Sequence, residues 1–193
     1  MQPGIAGLQP EQFRNYLLIL ARTHLHASVL LRRKLDASDI VQDTLLKAHQ
    51  ALSEFRGATE AEFMGWLRTI LANQLADAAR HFMRRKRDAA LEESFRETLN
   101  SSSGRMARLA GKRTSPSQHV LRGERESLLA EALGRLPEDQ ATAVSLRYLA
   151  EFSVAEIATA MDRTQPAVAG LLRRGLKDLR ERLMVLEQQN NVR

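Results

Sequence analysis

The 193-residue sequence contains no cysteine, which excludes disulfides, thiolate metal sites and a cysteine nucleophile. No apolar run approaches the ~18 residues that a membrane-spanning helix needs, and the N-terminus lacks the charged-then-apolar order of a signal peptide. Strand signals are also scarce, because there is no sustained period-2 alternation and no Asn-Gly or Asp-Gly turn. We therefore expect an all-α protein that stays in the cytoplasm and does not enter a membrane.

Sequence motifs of catalysis are missing as well. There is no glycine-rich phosphate loop, no nucleophile elbow and no His-Glu-x-x-His motif, and the five histidines form no metal-ligand spacing beyond one weak i, i+2 pair, His24 and His26. An enzyme is therefore the least favoured class, and we predict no cofactor and no metal site. The formal net charge of +6 instead favours a polyanionic partner, either nucleic acid or an acidic membrane surface.

The helical pattern divides the chain into two units. Apolar residues recur every three or four positions through residues 11–87 and again through residues 119–187, which predicts two small helical domains. Between them, residues 88–118 concentrate Ser, Gly, Arg and Lys and carry no apolar stripe. That composition is typical of a flexible basic linker.

The second unit contains a pattern typical of a helix-turn-helix. Ser153 and Glu156 form a capping-box signature at the start of a short helix. Thr164 is a second N-cap, and Pro166 lies in the first turn of the next helix, where its missing N–H breaks no helical bond. The alternative is a plain helical hairpin whose arginines form a solvated face.

The first unit ends in a basic helix that carries the only tryptophan of the sequence. One side is apolar, and the other lines up Asn73, Asp77, Arg80, Arg84 and Arg87. Amide and guanidinium groups bind base edges, whereas the run at 84–87 neutralises phosphates, and Trp66 suits stacking on unpaired bases. The alternative is that Trp66 and Phe63 are core residues and that the basic run is a solubilising helix end.

A third polar surface is predicted on the helix that follows the N-cap Asp36. Its edge consists of Asp39, Gln42, Asp43 and Lys47. An acidic edge on a basic protein suggests a separate protein partner. One alternative is that Asp39 and Asp43 complement the helix N-terminus. Another is that they form a catalytic or metal-binding carboxylate pair, but neither a histidine partner nor an EF-hand pattern supports this.

These three segments, in this order, resemble the bacterial sigma-70 family, and specifically its extracytoplasmic-function (ECF) group. The segments are DASDIVQDTLLKAHQAL (36–52), FMGWLRTILANQLADAARHFMRRKR (63–87) and LPEDQATAVSLRYLAEFSVAEIATAMDRTQPAVAGLLRRGLKDLRERL (136–183). The resemblance implies a non-enzymatic sigma factor that binds core RNA polymerase and directs promoter-specific initiation. The alternative is a helix-turn-helix regulator that binds duplex operators without polymerase, although such a regulator needs no aromatic, strand-opening helix.

The resemblance also implies roles for individual residues. The acidic edge would bind the β′ clamp helices of core polymerase, and the β flap and an anti-sigma factor are further implied partners. The −10 promoter element would contact Phe55, Arg56, Trp66, Asn73, Asp77, Arg80, Arg84, Arg85 and Arg87, with the loop at 55–57 holding a base flipped from the melted strand. The −35 element would contact Thr164, Gln165, Ala167, Arg173, Arg174 and Lys177.

The recognition helix departs from the family pattern at three positions. Ala169, Gly170 and Leu171 stand where many members have Lys, Ser and Arg. Base contacts must therefore come from Gln165, Arg173, Arg174 and Lys177, and the −35 sequence does not follow from the resemblance. The turn also departs from the family pattern, because Asp162 replaces the usual glycine; Asp tolerates turn conformations, so the motif can survive.

The length of the linker agrees with the implied function. Promoter elements centred about 25 base pairs apart are separated by ~85 Å at ~3.4 Å per step. A linker of about 30 residues extends to ~100 Å. The two units can therefore reach both elements if the linker is extended.

Overall fold

The structure is a computed structural model that describes residues 8–26, 31, 34–83, 94–98, 100–102, 104–105 and 119–190. Within these ranges all regular structure is helical, which confirms the all-α prediction. The longer helices are α1 (Arg14–His26), α2 (Ala37–Gln50), α3 (Glu60–Met83), α4 (His119–Gly134), α5 (Glu138–Tyr148), α6 (Val154–Met161) and α7 (Gln165–Asn190). Short 3-10 helices cover Pro10–Phe13 and Leu52–Glu54. No helix in these ranges is both long enough and apolar enough to span a bilayer.

Side-chain caps fix where the helices of the first unit begin. The Asp36 carboxylate accepts a hydrogen bond from the Ser38 N–H at 2.6 Å and caps α2, as predicted. Thr59 and Glu62 form a further capping box, not predicted above, before α3: Thr59 Oγ1 accepts from the Glu62 N–H at 3.2 Å, and Glu62 accepts from the Thr59 N–H at 3.0 Å. Its signature, Thr-x-x-Glu, is present in the sequence.

The predicted caps and turn of the helix-turn-helix are confirmed. Ser153 and Glu156 make both hydrogen bonds of the capping box at the start of α6. Asp162 ends α6 in the left-handed conformation, with φ 54°, and Thr164 Oγ1 accepts from the Ala167 N–H at 3.4 Å at the start of α7. These local contacts fix where α6 ends and where α7 begins.

The two units share one hydrophobic core. Helix α1 packs against α2 and α3 of its own unit, and also against α4 and α5 of the second unit. Buried side chains run without a break from α1 through α3 and α4 to α7, and include Leu20, Leu67, Leu133 and Leu179. A smaller cluster around Ile157 and Val168 supports the helix-turn-helix.

Part of the predicted linker is helical and packed. Its described residues 94–98, 100–102 and 104–105, called here the linker segment, are helical. Phe95 packs against the shared core, and Ser102 is buried, with its hydroxyl donating to the Leu149 carbonyl oxygen at 3.0 Å. The sequence shows no apolar stripe here, because individual side chains such as Phe95 and Ser102 make these contacts and a continuous apolar face of the helix does not. The flexibility of the linker stays a prediction.

Candidate functional site

The acidic edge lies on the exposed side of α2. Buried Ile40, Val41 and Leu45 fix the opposite side on the core. As a result, all four predicted residues of the edge are exposed: Asp39, Gln42, Asp43 and Lys47. The helix therefore presents them together to a partner.

Leu46 stands in the middle of this edge, and sequence reasoning missed it. The residue is 57% exposed, among the large apolar side chains that the described residues leave most open to water. Leu46 follows Asp39 by seven residues, or about two helical turns, and therefore lies on the same face of the helix. The helical spacing in the sequence was thus enough to predict its position on this edge. An apolar side chain ringed by polar ones is the usual layout at the centre of a protein interface.

Three aromatic rings pack together where the 55–57 loop meets α3. The ring centroids of Phe55 and Trp66 are 5.2 Å apart, and Phe63 lies 5.2 Å from Phe55 and 5.4 Å from Trp66. Phe63 is 1% exposed, so the core alternative is confirmed for this residue. Phe55 and Trp66 are half-buried at the rim of the core.

Gly57 makes room for the Phe55 ring. A Cβ atom at Gly57 would lie 2.3 Å from Phe55 Cζ and 3.0 Å from Glu62 Cβ. The next residue back, Arg56, is exposed and donates to the Ser53 carbonyl oxygen at 3.1 Å. The loop is thus held by its own contacts, with one cation facing solvent.

The polar side of α3 is partly occupied by contacts within the protein. The Arg80 guanidinium is ion-paired with the exposed Asp77 carboxylate, and the Arg80 side chain is only 11% exposed. Lys47 Nζ of α2 lies 4.0 Å from the same carboxylate. Asn73 is half-buried. The structure therefore brings Lys47, predicted to bind polymerase, into contact with Asp77, predicted to face DNA.

The sequence predicts that the basic run at 84–87 follows the polar side of α3. Arg84, Arg85 and Arg87 lie outside the described residues.

The structure leaves the predicted residues of the helix-turn-helix open to solvent. Val168 and Leu179 are buried and hold α7 on the second unit. All six candidates for −35 contacts are exposed: Thr164, Gln165, Ala167, Arg173, Arg174 and Lys177. Lys177 Nζ lies 3.9 Å from Glu181 Oε1, a contact between exposed side chains that adds little.

Glycine lets α7 approach α5 closely. A Cβ atom at Gly175 would lie 2.9 Å from Val144 Cγ2 and 3.3 Å from Gln140 Cβ. At Gly170 a Cβ atom would meet only the flexible end of Arg174, at 3.3 Å. Gly175 is therefore a packing residue, whereas Gly170 belongs to the exposed side of the helix.

The titratable groups in the described ranges form no metal site. No group of three or more His, Asp or Glu side chains is arranged to hold an ion there. The His49 ring is hydrogen-bonded to the Glu11 carboxylate through Nε2, and His24 is buried in α1. Burial, reinforced by the charge of Arg105, lowers the pKa of His24 to about 4.

Two family models match the chain, and each covers one of the units. The model described as "Sigma-70 region 2" matches residues 11–87. The model described as "Sigma-70, region 4" matches residues 126–179.

Curated relatives match across both units. The chain is 32% identical over 148 residues to the RNA polymerase sigma-H factor of Pseudomonas aeruginosa, covering 75% of this chain and 73% of that protein. It is 28% identical over 165 residues to the ECF RNA polymerase sigma-E factor of Haemophilus influenzae, covering 83% of each.

A solved structure of the sigma factor RpoE with the anti-sigma factor NepR from Bartonella quintana matches at 22% identity. It covers 91% of this chain and 96% of that chain, with a TM-score of 0.33, a value too low for the two arrangements to be compared.

Proposed function

Since the chain belongs to the sigma-70 family, in its ECF group, and is an RNA polymerase sigma factor that directs promoter-specific transcription initiation, we propose that three surfaces divide this work. One surface binds core polymerase, one binds the duplex −35 element, and one binds the −10 element and assists strand opening. The observation that carries the proposal is that the candidates for polymerase and −35 contacts lie exposed on separate helices, α2 and α7.

The α2 edge is the proposed surface for core polymerase. The edge carries Asp39, Gln42, Asp43 and Lys47 around the exposed Leu46. Charged groups at the rim steer and orient a partner, and burial of a central apolar residue supplies affinity. By resemblance the partner is the pair of β′ clamp helices, while the second unit contacts the β flap.

The N-terminal half of α7 is the proposed −35 surface. A helix enters the major groove when its outer face is polar and free of packing, and the exposed face of α7 meets this requirement. Gln165 has the amide that pairs with adenine, and Arg173 and Arg174 have the guanidinium that pairs with guanine or with phosphate. Thr164, Ala167 and Lys177 complete the proposed contacts.

The half-buried rings of Phe55 and Trp66, called here the aromatic rim, form the proposed −10 surface together with α3. Phe55 and Trp66 are half-buried, so each ring leaves an edge or face on which a flipped base can stack. Arg56 is exposed beside them to neutralise phosphate. Arg80 and Asp77 are paired with each other, so their use on DNA requires this pair to open, and Asn73 is only partly accessible. Arg84, Arg85 and Arg87 remain proposed phosphate contacts by resemblance.

In this proposal the protein works in the cytoplasm with polymerase, uses no cofactor and catalyses no reaction itself. An anti-sigma partner stays a prediction. The competing function, a regulator that binds duplex DNA alone, has no use for the exposed edge of α2.

Transcription of genomic DNA tests the proposal and requires no chosen promoter. Core polymerase from the source organism transcribes sheared genomic DNA with and without the protein, and the 5′ ends of the transcripts are sequenced. We expect a set of start sites that appears only when the protein is present and shares sequence near −35 and −10. Unchanged start sites, together with tight duplex binding by the protein alone, would favour the regulator.

A variant pair separates polymerase binding from folding. Leu46→Asp should abolish the new start sites and the co-elution with core polymerase, because a charge would enter the centre of the interface. Leu46→Met should keep both. If Leu46→Asp folds and still co-elutes with core polymerase, the α2 edge is not the binding surface.

A further inference from the structure

Gly170 lies on the outermost line of α7. It precedes the buried Leu179 by nine residues, which is about two and a half turns of helix. The two residues therefore lie on opposite sides of the helix, and Gly170 is on the side that faces away from the core. In the proposed complex with the −35 element, this line of the helix faces the floor of the major groove.

The guanidinium of Arg174 lies over this glycine. A Cβ atom at Gly170 would be 3.3 Å from Arg174 Nη1, 3.7 Å from Nη2 and 3.8 Å from Cζ. The guanidinium thus occupies the space where a side chain at residue 170 would begin. Gly170 is accordingly half-buried, although the preceding residue, Ala169, is exposed.

Packing against other helices does not account for a glycine at this position. At Gly175 an added Cβ would press on α5, but the three atoms nearest to a Cβ at Gly170 all belong to Arg174. Glycine also weakens a helix relative to alanine. The effect of this glycine on the structure therefore falls on the position of one side chain, that of Arg174.

This position brings a cation closer to the N-terminal end of α7. Arg174 follows Gly170 by four residues, or ~6 Å along the helix axis, and helical side chains lean towards the N-terminus. The guanidinium is thus about one turn closer to Gln165 than the Arg174 Cα atom is. The N-terminal part of a recognition helix is the part that reaches base edges. Because Arg174 is exposed, its N–H groups stay open to a ligand.

We propose that Gly170 is a positioning residue for Arg174, and that the guanidinium held over it reads a guanine of the −35 element. The inference rests on the proposed binding of this element by α7. A guanidinium has paired N–H donors that match the N7 and O6 acceptors of guanine in the major groove, whereas phosphate contacts carry no base preference. Arg174 thereby supplies, from the next turn, the base-reading group that residue 170 lacks.

Guanine without its N7 acceptor tests this proposal. Each guanine of the −35 element, in a promoter found by the genomic experiment, is replaced in turn by 7-deazaguanine. Fluorescence anisotropy then measures binding of each duplex by the complex of the protein with core polymerase. We expect one guanine at which the replacement weakens binding by the wild type about fivefold, because one of two hydrogen bonds is lost.

Variants then assign that guanine to Arg174 and its position to Gly170. Arg174→Ala should bind the normal and the 7-deazaguanine duplex equally. Gly170→Ala should reduce the difference to less than about twofold, because the added Cβ displaces the guanidinium from its place over residue 170. Its melting temperature should not fall, since alanine favours a helix. Arg173→Ala is the matched control: it should bind more weakly but keep the full difference between the duplexes.

Three results would overturn the proposal. The first is a difference between the duplexes that persists unchanged in Gly170→Ala. The second is a −35 element with no guanine whose N7 matters to the wild type. The third is a loss of affinity when Gly170→Ala is added to Arg174→Ala, because the glycine would then serve close approach of the DNA itself. If Arg173→Ala and Arg174→Ala both bind the −35 duplex as tightly as the wild type does, the proposed −35 surface fails, and the inference with it.

Discussion

The two candidate DNA surfaces are built differently. The face of α7 that carries Gln165 and Arg173 is exposed, and the buried side of the helix does the packing. On α3, by contrast, Arg80 is paired with Asp77, and Trp66 packs on Phe55 and Phe63. The difference fits their proposed targets. A preformed helix can enter the groove of a duplex. The side chains proposed to bind an unstacked base instead have other contacts within the protein when DNA is absent.

The largest expected effect is on the aromatic rim. Trp66→Ala should lower the free energy of unfolding by about 3 kcal/mol, because a large ring is removed from two aromatic contacts, and should impair strand opening more than Arg173→Ala does. Urea unfolding measures the first effect, and 2-aminopurine fluorescence at the −10 element measures the second. Trp66→Phe controls for packing. Equal loss of opening in Trp66→Ala and Arg173→Ala, with −35 binding intact in both, would defeat the assignment.

Substitutions at two glycines of α7 test how packing against α5 supports the exposed −35 surface of this helix. Gly175→Ala should destabilise the protein by about 1–3 kcal/mol, because its Cβ would press on Val144 at 2.9 Å. Gly170→Ala is the matched control and should be neutral or stabilising by up to ~1 kcal/mol, since only the mobile end of Arg174 must shift and alanine favours a helix. Thermal unfolding ranks the two variants, and the opposite order would show that α7 does not pack on α5 in this way.

Acid should lower the stability of the folded protein through His24. His24 is neutral in the folded protein because its pKa is lowered from 6.5 to about 4. The full contribution of the neutral ring to stability is present above pH 6.5 and is lost as pH falls from there towards 4. Linkage gives a loss of about 2 kcal/mol between pH 7 and pH 5.

Urea unfolding at several pH values measures this slope. His24→Leu should flatten it. A slope that persists in His24→Leu would contradict the assignment to His24.

The smallest effect is expected on the exposed face of α7. Arg173→Ala should weaken binding of the promoter duplex about tenfold, the loss of one guanidinium contact to base or phosphate, and should leave the melting temperature unchanged. Fluorescence anisotropy with a promoter fragment and the polymerase complex measures the affinity. Arg135→Ala, at an exposed arginine in the turn directly after α4, is the control, and an equal loss in both variants would mean that only net charge matters.

Local signals carried the sequence predictions that the structure confirms. The caps at Asp36 and Ser153 and the turn at Asp162 involve residues within a few positions of each other, so the pattern fixes them. The periodic apolar stripes likewise predicted the buried sides of α2 and α7, and therefore which polar residues would be exposed.

The features that sequence reasoning missed depend on distant residues. The guanidinium of Arg68 in α3 lies 4.0 Å from the buried carboxylate of Glu126 in α4, although the two residues are far apart in the chain and nothing local to either indicates the contact. The order of the linker segment likewise depends on the core and on Leu149, which lie elsewhere in the sequence. The pairing of Asp77 with Lys47 required the crossing of α2 and α3, which periodicity alone does not give.

The contact between α1 and α5 has a consequence for biosynthesis. Ile19 of α1 and Ala141 of α5 line the same small cavity between the helices, yet they are synthesised 122 residues apart. At about 5–20 residues per second, the ribosome needs roughly 6–24 s to supply the second helix after the first. During that interval the side of α1 that packs against α5 has no partner in the nascent chain, although α2 and α3 are already available to cover the rest of the helix.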